Sequence, residues 1–142
     1  LAILCDTNVL LRAVQLPHPQ HAAAANSIKH LIRAGLGPVV FLQNIIEFWN
    51  VATRPSKYGG LGYSIAETAA EVAELIETVR LIPDDPLTAQ IWMRLVTEHQ
   101  VHDARLVAGM KAHRIREILT FNGRDFARYS GIVVIAPGQY LT

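Results

Sequence analysis

The chain has 142 residues, of which 51% are hydrophobic and 18% charged. That is enough apolar material for one folded core, and too little charge for long disordered tails. A formal net charge of +1 is too balanced to name a partner, and no apolar run approaches the roughly 18 residues that a membrane helix needs. The lone cysteine, Cys5, has no internal disulfide partner, which points to a reducing cytoplasm. The first residues lack the basic region and cleavage site of a secretory signal. A start at Leu1 rather than Met points to residues lost before it.

In chain order, the apolar residues 1–5 predict a buried strand that ends at Asp6-Thr7-Asn8. Residues 9–14 predict a helix stopped by Pro17 and Pro19, and the Ala-rich residues 21–34 a second one ended by Gly35 and Gly37. Residues 38–42 read as a strand and 44–53 as a helix halted before Pro55. The Gly-rich stretch 56–63 is expected to be a mobile loop. Ser64 and Glu67 form a capping-box pattern for a helix reaching about Val79. Its stripe of Ala69, Val72, Leu75, Ile76 and Val79 suits burial against the core or a second subunit, with core as the default. Residues 80–83 predict a short edge strand, and Asp85 and Pro86 open a helix through His99. A further helix runs from Asp103 to about His113, and residues 117–120 and 132–135 supply the last strands.

Strands alternating with helices predict one α/β domain over residues 1–142. It should be a three-layer sandwich whose mostly parallel sheet carries helices on both faces. Functional groups in such sheets gather beyond the carboxyl ends of the strands. Asp6 and Asp125 both follow strands, and Asp103 opens a helix that can face the same edge. Glu47 interrupts the apolar run Ile45-Ile46-Glu47-Phe48-Trp49. Carboxylates this close to a core are costly unless a cation or hydrogen bonds satisfy them. If the fold gathers all four, a divalent metal is the simplest reason.

Each acid also has an ordinary reading. Asp6 can make an Asx-turn, and Asp103 can act only as a helix cap. Gln43, Glu47, Asn50 and Arg54 recur at helical spacing as a solvent-facing stripe would. Asp125 can pair with a neighbouring arginine. The late basic residues, Arg105, Lys111, Arg114, Arg116, Arg124 and Arg128, suit either a polyanion held over a metal or a solvated helix face.

In order, the segments are more specific. They are Asp6-Thr7-Asn8-Val9-Leu10-Leu11, Gln43-Asn44-Ile45-Ile46-Glu47, His102-Asp103-Ala104-Arg105-Leu106-Val107-Ala108, and Ile118-Leu119-Thr120-Phe121-Asn122-Gly123-Arg124-Asp125-Phe126. Together they resemble the PIN-domain nuclease family and, within it, the VapC-type toxins of toxin–antitoxin pairs. The resemblance covers nearly the whole chain. It implies that Asp6, Glu47, Asp103 and Asp125 are the active-site acids and hold Mg²⁺ or Mn²⁺. It also implies that Asn8 and Thr120 orient them, that RNA is cleaved, that an antitoxin binds, and that the chain forms a homodimer. One position departs from the pattern: many relatives carry an acid two residues after the threonine, where this chain has Asn122. The fourth acid is then Asp125, or its role is shared with Asn122 as a neutral ligand.

Hard divalent ions prefer oxygen donors, and Mg²⁺ takes only one or two direct carboxylates while retaining waters. Asp6 and Asp103 are the first-choice ligands, with Glu47 and Asp125 supporting a second ion or its waters. Arg105, Lys111, Arg114, Arg124 and Arg128 are candidate phosphate contacts. Tyr58 and Tyr63 suit base stacking or plain packing. Two rivals remain. One is a phosphatase with Asp6 as nucleophile, although Asn8 stands where that chemistry wants a second Asp. The other is a PIN fold that binds RNA or protein without cutting. Zinc at His18 and His21, or at His99 and His102, lacks a cysteine partner, and neither a Walker loop nor a Gly-x-Ser-x-Gly elbow occurs.

Overall fold

The first apolar run is too short for a buried helix and forms β1 (Ala2–Cys5), in which Ile3, Leu4 and Cys5 are all buried. The computed structural model describes residues 1–98 and 100–139. After β1 come α1 (Thr7–Val14), α2 (His21–Arg33), β2 (Gly37–Phe41), α3 (Leu42–Thr53), a 3₁₀ turn (Ser56–Tyr58) and α4 (Ile65–Thr78). The second half holds β3 (Arg80–Ile82), α5 (Leu87–Leu95), α6 (Val101–Ala112), β4 (Glu117–Leu119), α7 (Gly123–Ala127) and β5 (Val133–Ile135). The strands lie in the order β3-β2-β1-β4-β5, and every described pairing is parallel. Leu4 of β1 sits opposite Val39 of β2 on one side and Ile118 of β4 on the other.

Alternation along the strands gives the sheet two buried faces. Ile3, Cys5, Val40 and Leu119 pack with Val9, Leu10, Leu31 and Phe48 from α1, α2 and α3. Leu4, Val39, Phe41 and Ile118 pack on the other face with Leu106, Val107, Met110 and Phe126 from α6 and α7. Each such large side chain contributes about 1.5–3 kcal/mol through burial. The result is the expected three-layer α/β sandwich, with an all-parallel sheet. Gly109 explains how closely α6 approaches: a Cβ there would stand only 3.0 Å from the Phe41 ring. That approach carries the start of α6 to the sheet edge where β1 ends.

Several expectations shift. Helix α1 begins at Thr7 because Asp6 caps it, and α3 begins at Leu42 directly after β2. Helix α6 starts at Val101, so Asp103 lies inside its first turn and is not its cap. Helix α5 ends at Leu95; the expected end at His99 lies outside the described residues. The five-residue α7 was not foreseen, being too short to show a helical period. The stretch expected to be a mobile loop is instead tied back onto α3. Leu61 N donates to Val51 O at 3.1 Å, Gly62 N to Arg54 O at 2.9 Å and Tyr63 N to Ala52 O at 2.9 Å. A Cβ on Gly60 would collide with the Arg54 carbonyl, so only glycine permits this return. Tyr63 packs on the core and donates its hydroxyl to Val14 O, whereas Tyr58 is exposed. On α4, Val72 and Leu75 face the core, but Ala69 and Ile76 are exposed.

Candidate active site

All four acids line one cleft of about 920 Å³ at the carboxyl edge of the sheet. Asp6 reaches it from the end of β1, Glu47 from α3, Asp103 from α6 and Asp125 from α7. Thr7, Asn8, Gln43, Asn122, His102 and Arg105 add polar groups to its wall, while Ile46, Trp49, Leu11 and Phe126 give it an apolar side.

Asp6 is built in tightly. It is only 8% exposed, and its backbone N–H donates to Leu119 O at 2.9 Å, locking the end of β1 to β4. Its Oδ1 accepts from Thr7 N at 2.8 Å and its Oδ2 from the Thr120 hydroxyl at 2.7 Å. The Thr120 oxygen in turn accepts from Asn8 Nδ2 at 3.3 Å and from Asn122 N at 2.9 Å. Asn8 Oδ1 accepts from Phe121 N. The Asp6 side chain thus caps α1 through the Thr7 N–H, one residue on rather than the two of an Asx-turn, and this local bond coexists with a place in the site. Burial pushes the Asp6 carboxyl up from 3.8 to about 6; the Thr120 and Thr7 bonds pull it down, while Glu47 and Asp103 push it further up.

Glu47 is held from two sides. The Thr7 hydroxyl donates to its Oε2 at 2.8 Å, and Gln43 Nε2 to its Oε1 at 2.8 Å. Thr7 Oγ1 also accepts from Asn44 Nδ2 at 3.3 Å, and Asn44 Oδ1 accepts from Phe41 N at 2.9 Å. The solvent-stripe reading fails at its first member, since Gln43 is buried. Asn50 is exposed as expected, and Glu47 itself is half-buried. Packing against α1 and the bond to His102 O at the start of α6 take Gln43, at the first turn of α3, out of water.

Asp103 and Asp125 are held more loosely. Burial raises the Asp103 carboxyl, Asp125 raises it further, and Arg128 opposes both. The first turn of α6 favours a negative charge there. Asp125 is 47% exposed and meets Arg128 at 4.0 Å, as its arginine-pair reading anticipated. Asn122 also lines the cleft, so both candidates for the fourth position are present.

Of the basic residues proposed for RNA, Arg105 lines the cleft and meets Asp84 at 3.4 Å. Arg124 is exposed on α7 and is not part of the cleft lining. Lys111 donates to Ser130 O. His18 Nδ1 accepts from Gln20 N, and His21 Nδ1 meets Arg12 O at 3.0 Å, so each ring is engaged locally. Cys5 is fully buried, with its thiol pushed up to about 12 by burial and by Asp6. Thr7, Gln43 and Asn44 are the supporting residues whose roles sequence reasoning missed. The available signals were the one-turn spacing of Gln43 from Glu47 and the position of Asn44 three residues after a strand end.

The donor set is oxygen throughout, which fits a hard divalent ion. Among the described residues no three His, Cys, Asp or Glu side chains close tightly enough to grip an ion alone. An open acidic cleft of this kind suits an ion that takes one or two carboxylates directly.

Comparison with known proteins agrees with this geometry. Residues 3–132 match the protein family described as PIN domain. No curated protein matches the chain. Among solved structures, VapBC2 from Rickettsia felis, bound to a promoter DNA fragment, is similar over 96% of this chain and 98% of its own, with a TM-score of 0.74 and 12% identity. VapBC-1 from nontypeable Haemophilus influenzae covers 98% and 100%, with a TM-score of 0.73 and 11% identity. The sarcin-ricin loop cleaving toxin VapC20 from Mycobacterium tuberculosis covers 92% and 96%, with a TM-score of 0.65 and 22% identity. At these identities the likeness is one of fold.

Proposed function

The chain belongs to the PIN-domain family, and we propose that it is a divalent-metal-dependent endoribonuclease, the toxin of a toxin–antitoxin pair. The observation that carries this reading is the convergence of Asp6, Glu47, Asp103 and Asp125 on one open cleft. Asp6 and Asp103 would hold Mg²⁺ or Mn²⁺, with Glu47 and Asp125 beside them. Bound there, the ion supplies positive charge to the phosphate oxygens and makes water a stronger nucleophile.

The protein's own groups do the positioning. Thr120 and the Thr7 N–H fix both oxygens of Asp6, so its carboxylate does not swing when substrate enters. Thr7 and Gln43 do the same for Glu47. Hydrolysis breaks a P–O bond of the RNA backbone, with water attacking in line with the leaving oxygen. Arg105 offers the cleft a positive charge for phosphate, and Trp49 and Ile46 form an apolar wall against which an unpaired base can lie. Arg124, outside the cleft, would meet RNA only beyond the cutting site.

The antitoxin partner is proposed from the fold shared with the two VapBC complexes. A homodimer is supported by Leu87, Met93 and Val101, each more than half exposed on α5 and α6. No helix among the described residues is long and apolar enough to cross a membrane.

The test is cleavage of RNA with Mg²⁺ or Mn²⁺, comparing wild type with Asp6→Asn and Asp103→Asn and sequencing the cut ends. Wild type should cut at defined sites and both variants should not. Equal degradation by all three proteins would defeat the assignment, and RNA binding without cutting in any divalent ion would favour the non-catalytic module.

A further inference from the structure

Resting on that metal-site reading, we propose that Gln43 is a positioning residue that fixes the Glu47 carboxylate against the start of α6, next to Asp103. Gln43 lies one helical turn before Glu47 on the same face of α3. It is 4% exposed. Its Nε2 carries two hydrogens, and both are used: one reaches Glu47 Oε1 at 2.8 Å, the other the His102 carbonyl at 3.0 Å. A primary amide is the side-chain group that can do this without adding charge. Lysine would bring a cation beside the acids, and glutamate would repel Glu47.

The other end of the same side chain shows that simple packing is not its purpose. Gln43 Oε1 is buried and has no hydrogen-bond partner among the described residues. A buried, unpaired amide oxygen is destabilising, and an apolar side chain of the same length would avoid it. The amide is therefore retained against a stability penalty, and the groups that profit are its two donors. They join the acid on α3 to the peptide immediately before the acid on α6. Thr7 holds the opposite oxygen of Glu47, so removing Gln43 leaves that carboxylate free to turn about a single bond to α1.

Gln43→Met keeps the length of the side chain and removes both donors and the orphan oxygen. Mn²⁺ affinity would be measured by titration calorimetry on the full chain for wild type, Gln43→Met, Glu47→Ala and the double variant, alongside metal-free melting temperatures. Gln43→Met should bind Mn²⁺ about tenfold more weakly, the scale of loss when a ligand's hydrogen-bonding partner is removed. Its metal-free melting temperature should equal or exceed that of wild type. In the Glu47→Ala background the weakening should shrink below about twofold, because the donor has lost its target. Gln43→Asn, whose shorter amide cannot span both acceptors, should lose affinity as well and serves if the Met variant does not fold. Unchanged Mn²⁺ affinity with a lowered melting temperature would overturn the proposal, as would an equal loss in both backgrounds. A wild type that binds no Mn²⁺ would remove the metal site itself, and this inference with it.

Discussion

The two sides of the cleft are built differently. Asp6 and Glu47 stand on a network of neutral donors, namely the Thr7 N–H and hydroxyl, Thr120 and Gln43, each bond between 2.7 and 2.8 Å. Asp103 and Asp125 sit on the first turns of α6 and α7, partly open to water, and influence each other mainly through charge. On the proposed metal-site reading, the fixed side should keep its geometry whether or not a cation is present. On the same reading, the open side would adjust to the ion and admit a chain of phosphates. Rigid support under one acid pair and latitude under the other would suit the proposed hard ion, which would then be bound without a closed cage around it.

The sharpest way to break this contrast is to remove one acid from each side. Asp6→Asn and Asp103→Asn should each lower RNA cleavage by about 10²–10³-fold, the range for loss of a preorganised charge-stabilising group. Their effects on the metal-free protein should differ. The rise of the Asp6 carboxyl from 3.8 to about 6 corresponds to about 3 kcal/mol against its ionised form, so Asp6→Asn should stabilise the metal-free protein at pH 8 by up to that amount. Asp103→Asn, on the half-exposed side, should change the melting temperature far less. Equal stabilisation by both would erase the distinction.

Thr120→Val tests the network itself. The hydroxyl serves Asp6, Asn8 and the Asn122 N–H at once, in a fully buried position. Its loss should destabilise the protein by about 1–3 kcal/mol in denaturant unfolding at pH 8 and raise the Asp6 carboxyl further. A loss below the error of the measurement would mean that the network does not hold the acid. The smallest effect belongs to the open side. Arg128→Ala removes a 4.0 Å pair whose partners are both nearly half exposed, and should shift stability by less than about 1 kcal/mol. A larger shift would place Asp125 in the rigid half.

The sequence carried the layout of this site better than its support. Short β-rich runs between helical stretches foretold the parallel sheet, and strand ends foretold where Asp6 and Asp125 would meet. Glu47 was legible only through its motif, because periodicity alone gave equal weight to a solvent stripe. The roles of Thr7, Gln43 and Asn44 were hidden for the same reason. A polar residue on a helix says nothing of its burial until α1, α3 and α6 are packed together. The start of α6 was placed two residues late, at Asp103 rather than Val101, and its cap is Gln100, since Val101 and His102 bear no mark of a helix start. Arg124 was grouped with Arg105 by proximity to an acid, yet it is exposed on α7 and does not line the cleft.

The most direct test of the account is the melting temperature with and without millimolar Mn²⁺ at pH 5 and pH 8. Protonated Asp6 favours the metal-free fold at low pH, a contribution lost as pH rises through about 6, and an ion competes with that proton. Mn²⁺ should therefore raise the melting temperature clearly at pH 8, much less at pH 5, and not at all in Asp6→Asn. The same shift at both pH values, or an undiminished shift in Asp6→Asn, would contradict a metal site built on the buried acid.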